Sequence, residues 1–172
     1  MNTPQPTLQK KICMIGGFSV GKTSLVKRFV ESVFSETYLT TVGVKIDKKT
    51  VDVDGRAVNL ILWDVAGEDD VNSIRMSYLR GAAGYVLVAD GTRRTTLEVA
   101  LSLRERIETE LGKLPFVLLL NKNDLTDQWS IEEAEVEDLR QAGWSVRASS
   151  ARTGDGVEDA FRELAVRVTA PQ

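Results

Sequence analysis

Eight residues near the start of the chain, Gly16-Gly17-Phe18-Ser19-Val20-Gly21-Lys22-Thr23, stand between a short apolar run, Ile12 to Ile15, and an amphipathic stretch, Thr23 to Val30. The spacing is G-x-x-x-x-G-K-[ST], and a strand before it and a helix after it are the context in which such a loop cradles phosphate. Gly16 and Gly21 permit backbone angles that other residues resist, so successive N–H groups can turn inward toward an anion. A helix starting near Lys22 adds its own unpaired N–H groups and positive dipole end. Lys22 is then placed to reach β- and γ-phosphates, and the Thr23 hydroxyl to ligate Mg²⁺. A strand, a glycine loop and a helix in that order commit the chain to an α/β fold.

The remaining pattern agrees. Lys45 to Val53 and Ala57 to Asp64 read as two strands joined at Asp54-Gly55, a strong hairpin signal. Tyr85 to Ala89 and Phe116 to Leu120 are short apolar runs without alternation, as expected of strands covered on both faces. Helical patterns lie near 95–110, 131–141 and 157–168, and in the last of these Val157, Phe161, Leu164 and Val168 share a face. Strands alternating with helices predict a three-layer α/β domain with a mostly parallel sheet and helices on both faces. Residues 1–9, with Pro4 and Pro6, read as a flexible N-terminal arm, and 10–172 as one domain without repeats or linkers.

Composition removes other chemistries. The 172 residues include no histidine, which excludes Ser-His-Asp and Cys-His nucleophilic sites and His-ligated zinc. A lone cysteine, Cys13, excludes an internal disulfide framework, fits a small core residue, and suggests a reducing, cytoplasmic setting. A net charge of −3 gives no global field for nucleic acid or an anionic membrane. No apolar run approaches the roughly 20 residues of a membrane span. Neither Asn2 nor the closing VTAPQ offers a lipid-attachment site, so membrane visits are expected to depend on a partner.

Two further segments supply chemistry. Asp64 ends an apolar run and is followed by Val65-Ala66-Gly67, which puts a carboxylate at the C-terminal edge of a buried strand, where open α/β sheets keep their ligands. There Asp64 would hold Mg²⁺ and the Gly67 N–H would meet a γ-phosphate. Asn121-Lys122-Asn123-Asp124 follows the run Phe116 to Leu120. The Asp124 carboxylate can accept from N1–H and the exocyclic amine of guanine, whereas adenine offers neither donor and would leave it unpaired. Lys122 can lie along the base plane, and Asn121 can tie this loop to the phosphate loop.

These motifs, in this order, resemble the Ras superfamily of small GTPases, the Rab branch most of all, from about Lys11 to Val168. The resemblance implies a P-loop G domain with a six-stranded sheet and one antiparallel edge hairpin, a GTP/GDP switch, and hydrolysis of Mg-GTP. It assigns Gly16, Ser19, Val20, Gly21, Lys22, Thr23 and Ser24 to the phosphates, and Asn121, Lys122, Asp124, Ser150, Ala151 and Arg152 to guanine. Phe34 matches the aromatic that packs on the base. Tyr38 and Thr41 fall in the first switch, where Thr41 joins Thr23 and Asp64 around Mg²⁺. Gly67 to about Arg80 matches the second switch, and Lys22, Gly67 and Glu68 take the catalytic positions. It further implies an effector held by the two switches (about Phe34–Lys45 and Gly67–Arg80), an exchange factor, an activating protein, and a monomer. Lys45, Lys48 and Lys49 follow the first switch, either as partner-selecting charges or as exposed edge lysines that discourage aggregation.

Two residues depart from the family. Glu68 stands where a glutamine is usual; a carboxylate keeps the acceptor for the attacking water but loses the donor to the phosphoryl group. Like charges about 4 Å apart repel by about 4 kcal/mol at an effective dielectric near 20, and losing one preorganised donor slows chemistry roughly 10²–10³-fold. Slow hydrolysis is therefore expected, with other readings of Glu68 open: a general base, a side chain pointing away while another residue positions the water, or a solvated member of the trio Glu68-Asp69-Asp70. Phe18 puts a benzyl group where an arginine finger from an activating protein would enter. A cycling switch, a GTP-loaded scaffold with little hydrolysis, and a different P-loop kinase compete, and the last is disfavoured by Asn121 to Asp124.

Overall fold

A computed structural model of the protein describes residues 7–30, 37–39 (backbone), 44–64 and 76–171. Among the described residues seven strands form one sheet: β1 (Leu8–Gly16), β2 (Thr37–Leu39), β3 (Lys45–Val53), β4 (Arg56–Asp64), β5 (Gly84–Asp90), β6 (Phe116–Asn121) and β7 (Val146–Ala148). Their spatial order is β2-β3-β4-β1-β5-β6-β7. β2, β3 and β4 pair antiparallel, and every other pairing is parallel. The six expected strands are thus joined by a three-residue seventh, β2, at the hairpin edge. Four α-helices lie among the described residues: α1 (Lys22–Val30), α2 (Arg94–Leu111), α3 (Glu133–Gln141) and α4 (Val157–Thr169).

The unalternated apolar runs are explained by their two faces. Ile12, Met14, Val86, Val88, Val117 and Leu119 point to a core closed by α1 and α4, while Cys13, Ile15, Leu87, Ala89, Leu118 and Leu120 point to a second core closed by α2 and α3. Both faces are dry, so nothing in the inner strands needs to alternate. Across the first core Phe29 of α1 stacks on Phe161 of α4, ring centroids 4.1 Å apart and planes 4° from parallel. The hairpin turns at Asp54 (φ 51°) and Gly55 (φ 82°), both left-handed, and the Gly55 N–H is capped by Asp52 Oδ1 at 2.9 Å.

β1 begins four residues before the apolar run. Leu8 and Gln9, counted with the arm on composition, register with Val58 and Asn59 of β4. Lys49 is not an exposed edge lysine. It is buried, its Nζ donating to Phe29 O at 2.5 Å, lying 4.1 Å from the Phe29 ring centroid and pairing with Glu158 at 3.5 Å. The physical reason is position, since β2 covers the outer side of β3 and this face of β3 meets α1 and α4.

Strand order sets the site. β1 lies centrally between β4 and β5, so Gly16, Asp64, Asp90 and Asn121 finish parallel neighbours at one edge of the sheet. That edge is where such sheets bind ligands.

Candidate functional site

The phosphate loop is built on two glycines with no room for a side chain. A Cβ on Gly16 would lie 2.5 Å from the Val88 carbonyl oxygen, and one on Gly21 (φ 105°) would strike the Asn121 amide. Ser19 takes the left-handed conformation too, with φ 60°. The Lys22 ammonium is buried inside the loop and donates to the carbonyl oxygens of Gly16 at 2.9 Å and Gly17 at 3.1 Å. One turn on, Leu25 N–H to Gly21 O at 2.9 Å starts the helical ladder of α1.

Thr23 and Asp64 meet at the loop mouth, the hydroxyl donating to Asp64 Oδ2 at 2.5 Å. Burial pushes the Asp64 carboxyl up from its ordinary range, against the downward pull of the Thr23 bond and of Lys22 and Lys45. A hydroxyl and a buried carboxylate are the hard oxygen donors that Mg²⁺ takes. Thr41, the third expected ligand, lies outside the described residues, as do Phe34, Gly67 and Glu68. Tyr38 belongs to β2, whose backbone alone is described.

Asn121 ties the two loops together. Its Nδ2 donates to Val20 O at 3.0 Å, and its Oδ1 accepts from Ser149 Oγ at 3.3 Å. Asp124 accepts from Ser150 Oγ at 2.8 Å, and Arg152 Nη1 stands 3.9 Å from its second oxygen. The Ser150 hydroxyl in turn accepts from Thr153 N–H at 3.1 Å, which fixes its direction. A cavity of about 440 Å³ opens between these groups, lined by Gly21, Ser24, Asn121, Lys122, Asp124, Ala151 and Arg152, with Lys27 and Arg28 from α1. The loops expected to meet the phosphates and the base are therefore brought together around one cleft.

Sequence reading missed Asp90, Thr92 and Arg93. Asp90 is 1% exposed and lies at the end of β5. Its Oδ1 accepts from the Thr92 N–H and hydroxyl at 2.9 and 2.7 Å, and its Oδ2 takes Lys122 at 2.8 Å and Arg93 Nε at 3.0 Å. Burial opposes its charge, yet the bonds from Lys122, Thr92 and Arg93 prevail and hold the carboxyl down at about 2. The Lys122 and Arg93 head groups also reach the phosphate loop, Lys122 to Ser19 O at 3.2 Å and Arg93 Nη2 to Phe18 O and Ser19 O at 3.0 and 3.1 Å. The available signal was positional: Asp90 follows a buried run just as Asp64 does. Phe18 itself is 59% exposed at the loop apex.

The sequence matches the profile described as Ras family over residues 11–170. Ras-related protein Rab-13 of Canis lupus familiaris is 34% identical over 157 residues, covering 90% of this chain and 77% of that protein, and Rab-13 of Bos taurus matches to the same extent. Ras-related protein Rab-4 of Dictyostelium discoideum is 34% identical over 159 residues, 91% of this chain and 78% of the relative. No helix among the described residues is long and apolar enough to cross a membrane.

Proposed function

The chain belongs to the Ras family, and on that premise we propose that it is a small GTP-binding switch that takes Mg-GTP and GDP in this cleft and hydrolyses GTP slowly. The observation that carries the guanine assignment is the fixed Asp124 carboxylate. It lines the cleft, is oriented by Ser150 and Arg152, and is joined to the phosphate loop through Asn121 and Val20. An adenine there would leave a polar group unmet, a penalty that discriminates strongly.

The chain's own residues divide the work. Lys22 already sits within the loop and needs only to trade the Gly16 and Gly17 carbonyls for phosphate oxygens to bind them. Thr23 and Asp64 would hold Mg²⁺, which when bound offsets the charge of the phosphates. Thr41 and Gly67 are the positions through which the terminal phosphate would order the two switches for an effector, and its loss would release them. Glu68 lacks the amide donor that a glutamine would direct at the transferring group, so the chemical step is slow. A second reading, a scaffold that stays loaded with GTP, draws on the same Glu68 and on the exposed Phe18, whose benzyl group would obstruct a donor supplied from outside. In either case a cytoplasmic partner would read the GTP state through the switches.

Two measurements test this. Equilibrium competition should favour GTP over ATP by orders of magnitude, and tight ATP binding would overturn the guanine assignment. Single-turnover hydrolysis of pre-bound GTP should be slow, and Glu68→Gln should accelerate it by roughly 10²–10³ if the missing donor is the brake. A substitution that slows it instead would make Glu68, or a geometry built around it, the catalyst.

A further inference from the structure

Asp90 is one buried anion held between two cations, so one positive charge is left over for other acceptors. Arg93 and Lys122 also donate to the backbone of the phosphate loop. Phe18 O accepts from Arg93, and Ser19 O accepts from both Arg93 and Lys122. A trans peptide directs its N–H opposite to its C=O. Pinning these two carbonyls on the outside of the loop therefore aims the N–H groups of Ser19 and Val20 at its inside. A cation on a carbonyl oxygen also polarises the peptide and strengthens its N–H as a donor. Ser19, at φ 60°, and Lys122, at φ 72°, both hold left-handed angles that persist only where their surroundings fix them. The Arg93 and Lys122 head groups, both anchored on Asp90, are bonded to the carbonyl of Ser19 itself.

We propose that Arg93 is a positioning residue that clamps the Phe18-Ser19 segment in its anion-binding form and so slows release of the nucleotide's phosphates. The proposal rests on the reading of the cleft as a guanine-nucleotide site. Arg93 touches no ligand in this role and acts through the two peptide groups. Lys122 is shared with the base-reading loop, whereas Arg93 belongs to the start of α2, so the clamp adds a third segment to the two already tied by Asn121. Its guanidinium suits the task, since Nε meets the carboxylate while Nη2 spans two carbonyls, a fork a single ammonium cannot reproduce.

The test uses the full chain loaded with a fluorescent GDP, comparing wild type with Arg93→Gln and Arg93→Lys. Arg93→Gln should release GDP about tenfold faster, as the charge-assisted bonds to the Phe18 and Ser19 carbonyls are lost, and should shift the ³¹P resonance of the bound β-phosphate. Arg93→Lys should recover part of both. The preference for GTP over ITP should stay at the wild-type value, because Asp124 is untouched. Release within about twofold of wild type in both variants, with an unmoved ³¹P resonance, overturns the clamp. So does faster release that tracks a fall in thermal stability while the ³¹P resonance stays put, which would make Arg93 a structural contact only. A wild type that binds no guanine nucleotide would overturn the functional reading along with it.

Discussion

Ser150 Oγ donates to Asp124 Oδ1 at 2.8 Å, so a residue 26 positions away orients the carboxylate that lines the cleft. The second oxygen is left to Arg152 and to whatever base enters. Inosine lacks the 2-amino group of guanine, so wild type should prefer GTP over ITP by about tenfold or more, the worth of one hydrogen bond to a charged group. Asp124→Ala should bring that ratio close to one. Competition binding of GTP, ITP and ATP reads the effect directly, and an unchanged ratio in the variant would remove Asp124 from base recognition.

Gly21 faces Asn121 at a φ of 105°, with no room for a β-carbon. Gly21→Ala should break the Asn121 to Val20 bond as well as strain the backbone, costing about 2–4 kcal/mol in total. Urea unfolding would show the loss. Nucleotide affinity should fall further than the stability does, since both loops shift.

The acid limb of stability should report on Asp90. Its carboxyl titrates near 2 in the folded chain against an ordinary 3.8, so its contribution is complete above about pH 4 and is lost as pH falls toward 2. A shift of that size corresponds to about 2 kcal/mol. Chemical denaturation of Asp90→Asn should show lower stability than wild type at pH 6, and the gap should narrow toward pH 2. A gap that stays constant across that range would mean the carboxylate is not held as its contacts imply.

Phe161 tests the scaffold apart from the site. It is fully buried and stacked on Phe29, so Phe161→Ala should cost about 3–5 kcal/mol. At temperatures where the variant remains folded, its GTP-over-ITP preference should match wild type, because no cleft residue leaves its place.

The elements that could be read from sequence were those whose formation is local. Val86, Leu87 and Val88, or Leu118 to Leu120, are apolar on both faces, and the glycines at 16 and 21 mark a turn that other residues cannot make. β7 was not legible because Val146-Arg147-Ala148 has one buried residue and becomes a strand by pairing with Leu118 to Leu120. β2 was missed for the same reason, three residues made a strand by β3. At this edge of the sheet, Asp64, Asn121 and Asp124 were singled out by their spacing after buried runs. Asp90 and Arg93 did not, since what they do depends on Lys122 and Phe18 arriving from elsewhere in the fold. Lys49 was misread because charge alone suggested solvent, whereas an aromatic face, a carbonyl and Glu158 enclose it.

Cys13 sits in the middle of β1, fully buried, its Sγ 3.6 Å from the Tyr78 carbonyl oxygen, and burial pushes its thiol up to about 12 despite the nearby Lys11. At neutral pH only on the order of one molecule in 10⁵ carries the reactive thiolate, and none presents it to solvent while the central strand is in place. With a single cysteine in the chain, a thiol reagent therefore has one target and one way to reach it. Labelling becomes a clock for whole-molecule opening. Run with and without guanine nucleotide, it counts how often the closed sheet comes apart and by how much an occupied cleft delays it.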